Sequence, residues 1–409
     1  MYFVRSFVSL LLLVGVFTAV AAQNKTPAPR AGISIAQLRE AVRHNPNKAE
    51  AHNALGLALG KSGKLDEALA EFRQAVTLRD DYFEGWTNLG IALEQQNNFG
   101  LALDAFTKAA LLHPNDAELQ ISLGGLYLRR QDLPKALAAF RQAVQVQPDS
   151  AEMHSNLGFI LGQAGDFSGA ITEYKTATKL KPTLAEAWYY LGTALLRRNE
   201  NHDLIEAVKA LRQATRLKPN SAESHTALGI AMREAGEVEE SSTALRHAIK
   251  LSPKLIEAHN NLGLSLLQLK KSDEALTAFK TVIKLDGNNR NAYLNAGLAL
   301  MQKGDVDAAV ASYQKLISIS PDVYEAHFNL ALALRKKDDF EGAITALQKT
   351  LSLNPNFADA HFTLGEIFSQ QGKIDEALAE LNTAVRLNPN DAEARYRFGL
   401  AWQKKVSLI

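Results

Sequence analysis

The sequence predicts an all-α fold, an α-solenoid of stacked helix-turn-helix units, on three observations. One set of residue types recurs about every 34 residues from Ala49 onward, as Trp86, Leu89, Gly90, Leu93, Ala102, Phe106, Ala109 and Pro114 in the copy Phe83 to Asp116. A period of that length marks units that bury their apolar faces only against their neighbours. Within each copy the apolar residues follow the helical period, and glycine or proline breaks the pattern at fixed places.

Taken in order, the chain opens on Arg5 and an apolar run from Phe7 to Ala22 that ends in Val20-Ala21-Ala22. Small residues there suit a signal peptidase, so residues 1–22 are expected to be a signal peptide cleaved before Gln23. The alternative is an uncleaved anchor, since about 16 apolar residues fall slightly short of a bilayer span. Residues 23–33, with Pro27 and Pro29, form a linker, and no second apolar run of spanning length follows. Residues 34–48 are expected to be an N-terminal half repeat that caps the stack.

Ten full units fill residues 49–391, starting at Ala49, Phe83, Ala117, Ala151, Ala185, Ala222, Ile256, Arg290, Tyr324 and Ala358, and a C-terminal half repeat fills 392–409. The first turn of a unit holds pairs such as Gly63-Lys64 and Gly304-Asp305, where glycine permits the left-handed backbone that ends a helix. The second turn carries Pro-Asn or Pro-Asp, as at Pro114-Asn115. Proline stops one helix, and the Asn, Asp or Ser after it can cap the next.

These units resemble tetratricopeptide repeats, whose pattern runs W-x2-L-G-x2-Y, then A-x3-F, A and P. The resemblance covers Ser34 to Ile409 and implies a right-handed solenoid whose first helices line a concave groove. Small residues on facing helices, such as Gly90 and Ala102 or Gly124 and Ala136, are expected to permit close approach. In the unit at Ala185 the stretch Arg197 to Asp203 replaces the short turn, so a polar loop is expected there. Val282, Leu316 and Thr350 replace a small residue late in their second helices, Gly287 replaces proline and Ala331 replaces glycine, and looser or differently pitched packing is expected.

Composition excludes several function classes. Lys and Arg number 45 against 44 Asp and Glu, so no nucleic acid or anionic surface is implied as a target. The absence of cysteine removes disulfides, thiolate metal sites and cysteine nucleophiles. With the leader, it points to the periplasm or envelope of a bacterium, or else to secretion. The stretch Gly56 to Ser62 brushes against a phosphate-binding loop but has three residues between its glycines instead of four and no preceding strand.

Six histidines, His52, His154, His225, His259, His327 and His361, sit where Trp86 and Trp188 stand in their units. Stacked helices separate equivalent atoms by about 10 Å, too far to share a zinc ion, so no metal site is assigned and the rings are read as partly buried stand-ins for an aromatic. Acidic residues at the second position of first helices, Glu50 and Glu152 among them, fit the helix dipole. No catalytic residue and no cofactor is expected.

Asparagine carries the more specific signal. Asn88, Asn156, Asn261, Asn295 and Asn329 occupy the sixth position of first helices, the last three in consecutive units. The series is similar to the asparagine ladder in the repeat half of O-GlcNAc transferase, which implies peptide-binding amides pointing into a groove. An amide offers donor and acceptor together, matching one peptide unit. Phe328 lies beside the row, as peptide contact or as packing against a neighbouring helix. The chain is thus expected to be a non-catalytic, exported protein–protein interaction scaffold that binds an extended peptide or protein partner. The alternatives are an accessory subunit of a separate envelope enzyme or a self-assembling structural component. Phe398, Trp402, Val406, Leu408 and Ile409 on the last helix point to self-association or a partner site.

Overall fold

The computed structural model describes residues 33–200 and 202–407. The expected signal segment 1–22, linker residues 23–32, and Leu408 and Ile409 lie outside the described residues, as does Asn201. The described residues form 22 α-helices and no strand.

The chain divides into two compact units, Met1–Asn199 and Glu200–Ile409. In the first, helix Ile35–His44 precedes the pairs Ala49–Lys61 with Leu65–Leu78, Phe83–Gln95 with Phe99–Leu112, Ala117–Arg129 with Leu133–Val146 and Ala151–Gln163 with Phe167–Leu180. Helix Ala185–Arg198 closes it. The second opens on Asp203–Leu217 and continues through Ala222–Glu234 with Val238–Leu251, Ile256–Gln268 with Ser272–Leu285, Arg290–Lys303 with Val306–Ile319, Tyr324–Lys336 with Phe340–Leu353 and Ala358–Gln370 with Ile374–Leu387. Helix Ala392–Val406 follows. Within each unit, every helix packs against the one before and the one after it.

The turn inside each pair has a fixed geometry that the residue type does not decide. Gly63, Gly165, Gly236, Gly304 and Gly372 are left-handed, and so are Asn97, Gln131, Lys270 and Asp338, which hold the same place in units without glycine. The short connection imposes the conformation, and the last four accept it at a cost of about 1–2 kcal/mol each. Between pairs, the capping residue is the second one after proline: Asp116, Ser150 and Asp391 accept from the first-turn amides of their helices. The expectation that Arg197 begins a loop is corrected. Helix Ala185–Arg198 includes Arg197 and Arg198 and stops at Asn199, whose φ is 51°.

The core rests on a socket and a knob spaced sixteen residues apart. A Cβ added to Gly56, Gly90, Gly124, Gly158, Gly263 or Gly297 would lie under 3.0 Å from the ring of Phe72, Phe106, Phe140, Tyr174, Phe279 or Tyr313 respectively. Leu245 and Leu381 fill the same space over Gly229 and Gly365. The glycine therefore makes room chiefly for the ring, and the small residue four positions before that ring lies against the first helix backbone. Ser241 shows this contact directly, its hydroxyl donating to the Gly229 carbonyl at 2.6 Å.

Of the looser or differently pitched packing expected in the units from Ile256 to Phe357, the looser packing is corrected. Val282, Leu316 and Thr350 are each 0% exposed, so the larger side chains are fully enclosed. Where Ala331 stands in place of glycine, the knob is Leu347 and both sit in one buried cluster, a smaller knob over a shallower socket.

Because Phe279 is fully buried and cannot swing away, Gly263→Ala should lower the thermal stability by about 1–3 kcal/mol through overpacking. Gly100→Ala, where a Cβ meets nothing within 4 Å, should instead gain about 0.5–1 kcal/mol of helix stability. Melts of the two variants check the pair of signs.

Candidate partner-binding face

In nine of the ten repeats the fourth position of the first helix is a brace between repeats. In His52, His154, His225, His259, His327 and His361, Nε2 lies 2.8–3.1 Å from the carbonyl oxygen of the proline six residues earlier. A carbonyl only accepts, so Nε2 carries the proton. Trp86 and Trp188 make the same bond from Nε1, to Asp80 and Pro182, and Gln120 makes it from its amide to Pro114. His52, His154 and His361 also bond through Nδ1 to Glu71, Glu173 and Glu380, each at 2.6 Å. The shared requirement is an N–H that reaches the end of the preceding turn, which explains why histidine, tryptophan and glutamine interchange there.

The acids at the second position have partners as well. Glu50 is held below the usual carboxylate range first by its own helix amide, against some desolvation, with Arg79 adding to the effect at 2.6 Å. For Glu152 the hydrogen bond from Lys181 comes first.

The five asparagines occupy three kinds of environment. Asn88 is 3% exposed and donates to Asn53 Oδ1 at 2.9 Å, while Asn53 donates to the Tyr82 hydroxyl at 3.1 Å. Asn88 therefore belongs to a buried amide chain joining two repeats, and its assignment to an open peptide face is corrected. Asn156 is half-buried within helix Ala151–Gln163.

Asn261, Asn295 and Asn329 are half-buried on successive first helices of the second unit. Asn261 Nδ2 donates to its own helix at Glu257 O, 2.9 Å, and Asn329 Nδ2 to Glu325 O, 2.7 Å. Asn295 Nδ2 reaches Asn260 Oδ1 at 3.4 Å, the same cross-repeat step that joins Asn88 to Asn53. In each of the three, one amide hydrogen is used inside the protein, which leaves the second hydrogen and the lone pairs of Oδ1 on each amide. Arg233 approaches the Oδ1 of Asn261 at 3.4 Å.

Phe328 stands edge-on to Phe357, ring centroids 4.9 Å apart, and Phe357 also meets Tyr324 at 5.3 Å. Packing against the next helix is thus a use Phe328 already has. What the sequence reading missed is the ninth position, where Leu264, Leu298 and Leu332 follow the three asparagines by three residues and so share their side of the helix. Leu298 is 38% exposed. The spacing of leucine after asparagine, repeated in three units, was the available signal. Arg335, bonded to Glu366 at 2.9 Å, borders this strip of amide oxygens and apolar side chains.

In the first unit, the half-buried Glu94 has its carboxyl pushed above the usual range by desolvation, which Arg129 partly opposes. Tyr189 and Tyr190 are stacked edge-to-face at 5.2 Å, and Tyr190 lies 5.8 Å from Tyr174.

The family model described as the C-terminal domain of cilia and flagella-associated protein 70 matches residues 83–290, half of the chain. Models of the tetratricopeptide repeat match residues 59–97, 260–324, 300–349 and 334–396. No curated protein matches the chain. Among solved structures, YrrB, described as a TPR protein with an unusual peptide-binding site, is 24% identical, with 46% of this chain and 96% of that one covered and a TM-score of 0.41. MamA from Desulfovibrio magneticus is 24% identical over 42% of this chain and 96% of its own, TM-score 0.40. Yeast Tom70 is 16% identical over 91% and 92%, TM-score 0.45.

Two outcomes follow from these contacts. Trp86→Phe keeps the ring but removes the N–H, and should cost about 0.5–1.5 kcal/mol in a thermal melt by losing the hydrogen bond to the Asp80 carbonyl. Glu94→Gln should stabilise the protein at neutral pH and leave it unchanged at acid pH. A raised folded pKa means the folded state penalises the carboxylate, so stability is lost as pH rises through the ordinary carboxylate range, and glutamine removes that loss. Melts at both pH values read the difference.

Proposed function

The chain belongs to the tetratricopeptide repeat family, and from that we propose a non-catalytic interaction scaffold whose second unit holds an extended segment of a protein partner across Asn261, Asn295 and Asn329. The observation that carries this reading is the pairing of those asparagines with Leu264, Leu298 and Leu332 on successive first helices. Oδ1 acceptors match the backbone N–H groups of an extended chain, and the leucines between them receive its apolar side chains. Recognition of this kind takes main-chain bonds for affinity and side-chain pockets for choice. In this the row keeps the logic of the O-GlcNAc transferase ladder, with one hydrogen of each amide already used inside the protein.

The proposed setting is outside the cytoplasm, in a bacterial periplasm or envelope. Arg5, the apolar run to Ala22 and the chain's lack of cysteine support it. Among the described residues no helix is long and apolar enough to cross a membrane. Repeat faces of this family bind protein or peptide segments and generally carry no chemistry of their own, which supports adaptor service to a separate assembly.

The test is a pull-down from an envelope extract with the wild-type chain and with Asn261→Ala, Asn295→Ala, Asn329→Ala combined. Three lost acceptors at about 1 kcal/mol each should weaken partner capture by a factor of about a hundred. Equal recovery by both forms would remove the asparagine row from the binding surface.

A further inference from the structure

We propose that the segment held by the asparagine and leucine strip carries a side-chain carboxylate, an Asp or Glu, and that Arg233 receives it. This rests on the reading of that strip as the binding face and names the chemistry of its occupant. Arg233 is twelfth in helix Ala222–Glu234; its side chain is 18% exposed, and its Nε is buried without a hydrogen-bond partner. The contacts of its Nη2 are long, Asn261 Oδ1 at 3.4 Å and the adjacent Glu234 at 3.8 Å. A guanidinium has five N–H donors and keeps its charge, so an enclosed one calls for an acid placed against it.

The repeat itself shows where that acid belongs. Arg335 holds the same place three repeats on, twelfth in helix Tyr324–Lys336. It bonds at 2.9 Å to Glu366, thirty-one residues later and ninth in the next first helix. Thirty-one residues after Arg233, ninth in helix Ile256–Gln268, stands Leu264, the first leucine of the strip. The positive charge is thus answered by the chain's own carboxylate at one end of the strip and poorly answered at the other.

Between the two arginines the twelfth position holds Leu267 and Met301, so an acid has a cation to meet at that position only at the Arg233 end. The charge therefore fixes the register of the bound segment as well as its composition. Equivalent atoms of stacked first helices are about 10 Å apart, about three residues of extended chain. The acid is accordingly expected about three residues to one side of the partner residue that meets Leu298. Ile230, half-buried, continues the ninth-position row beyond Leu264, which favours an acid inside a segment over a carboxylate at a chain end.

The experiment is selection of a random peptide library on the purified full chain, followed by binding of synthetic peptides of the selected sequence. The library is displayed with its C-terminus fused, so that every acid in it is a side chain. The wild type is expected to select apolar residues with Asp or Glu at one fixed place, and exchanging that acid for its amide should weaken binding about tenfold. Arg233→Gln should bind the acid and amide peptides equally, and Arg233→Glu should prefer lysine at that place, with thermal melts close to wild type for both. The acid-to-amide comparison uses the wild-type chain alone, so it decides the matter even where a variant unfolds. Selected peptides without a fixed acid, or an acid preference that survives Arg233→Gln, overturn the carboxylate while leaving the strip as a binding face. No selection at all, or peptides indifferent to Asn261→Ala, Asn295→Ala and Asn329→Ala combined, overturns the reading of the strip and this proposal with it.

Discussion

Eight of the ten repeats depend on one steric fact, that a glycine on the first helix leaves room for a ring or leucine sixteen residues later on the second. Gly90 with Phe106 and Gly263 with Phe279 show why the spacing cannot drift: a single Cβ would fall inside the van der Waals radius of the knob. The small residues around the knob follow from it, since Ala102 or Ser241 must let the second helix lie close for the ring to reach. Where the socket becomes Ala331, the knob is Leu347 and burial is kept.

The second constraint is polar. Most breaks between repeats leave a carbonyl at the end of a turn, and a side-chain N–H that reaches it adds a hydrogen bond worth about 0.5–1.5 kcal/mol. His154, Trp188 and Gln120 share no shape, but each puts an N–H on that carbonyl six residues earlier. With packing and brace both met inside the repeat, the face of the first helices is released from structural duty at positions such as Leu298. Interaction surfaces on repeat proteins arise in this way, from positions the stack does not need.

The helices were legible in the sequence because glycine, proline and apolar spacing act locally and recur. The role of the six histidines as aromatic stand-ins was legible from Trp86 and Trp188, although the carbonyl they share was not, since it depends on a turn folding back by six residues. The site was less legible. Asn88 and Asn295 look alike in sequence, and their fates part only because Asn53 is buried beside Tyr82 while Asn260 is half-exposed. Position alone cannot report which end of an amide is spent within its own helix, as at Asn261 and Asn329. The left-handed Gln131 and Lys270 were hidden for a related reason: the connection dictates their backbone against their own preference.

The central claim is that the strip through Asn295 and Leu298 is where a partner lies. Site-specific photocrosslinking tests it most directly, with a photoreactive side chain at Leu298 and, as a control, at the exposed Thr277 on a second helix of the same unit. The account predicts adducts from position 298 that map to one extended segment of a partner and few or none from position 277. Equal labelling from both positions, or adducts at 298 scattered over unrelated segments, would contradict it.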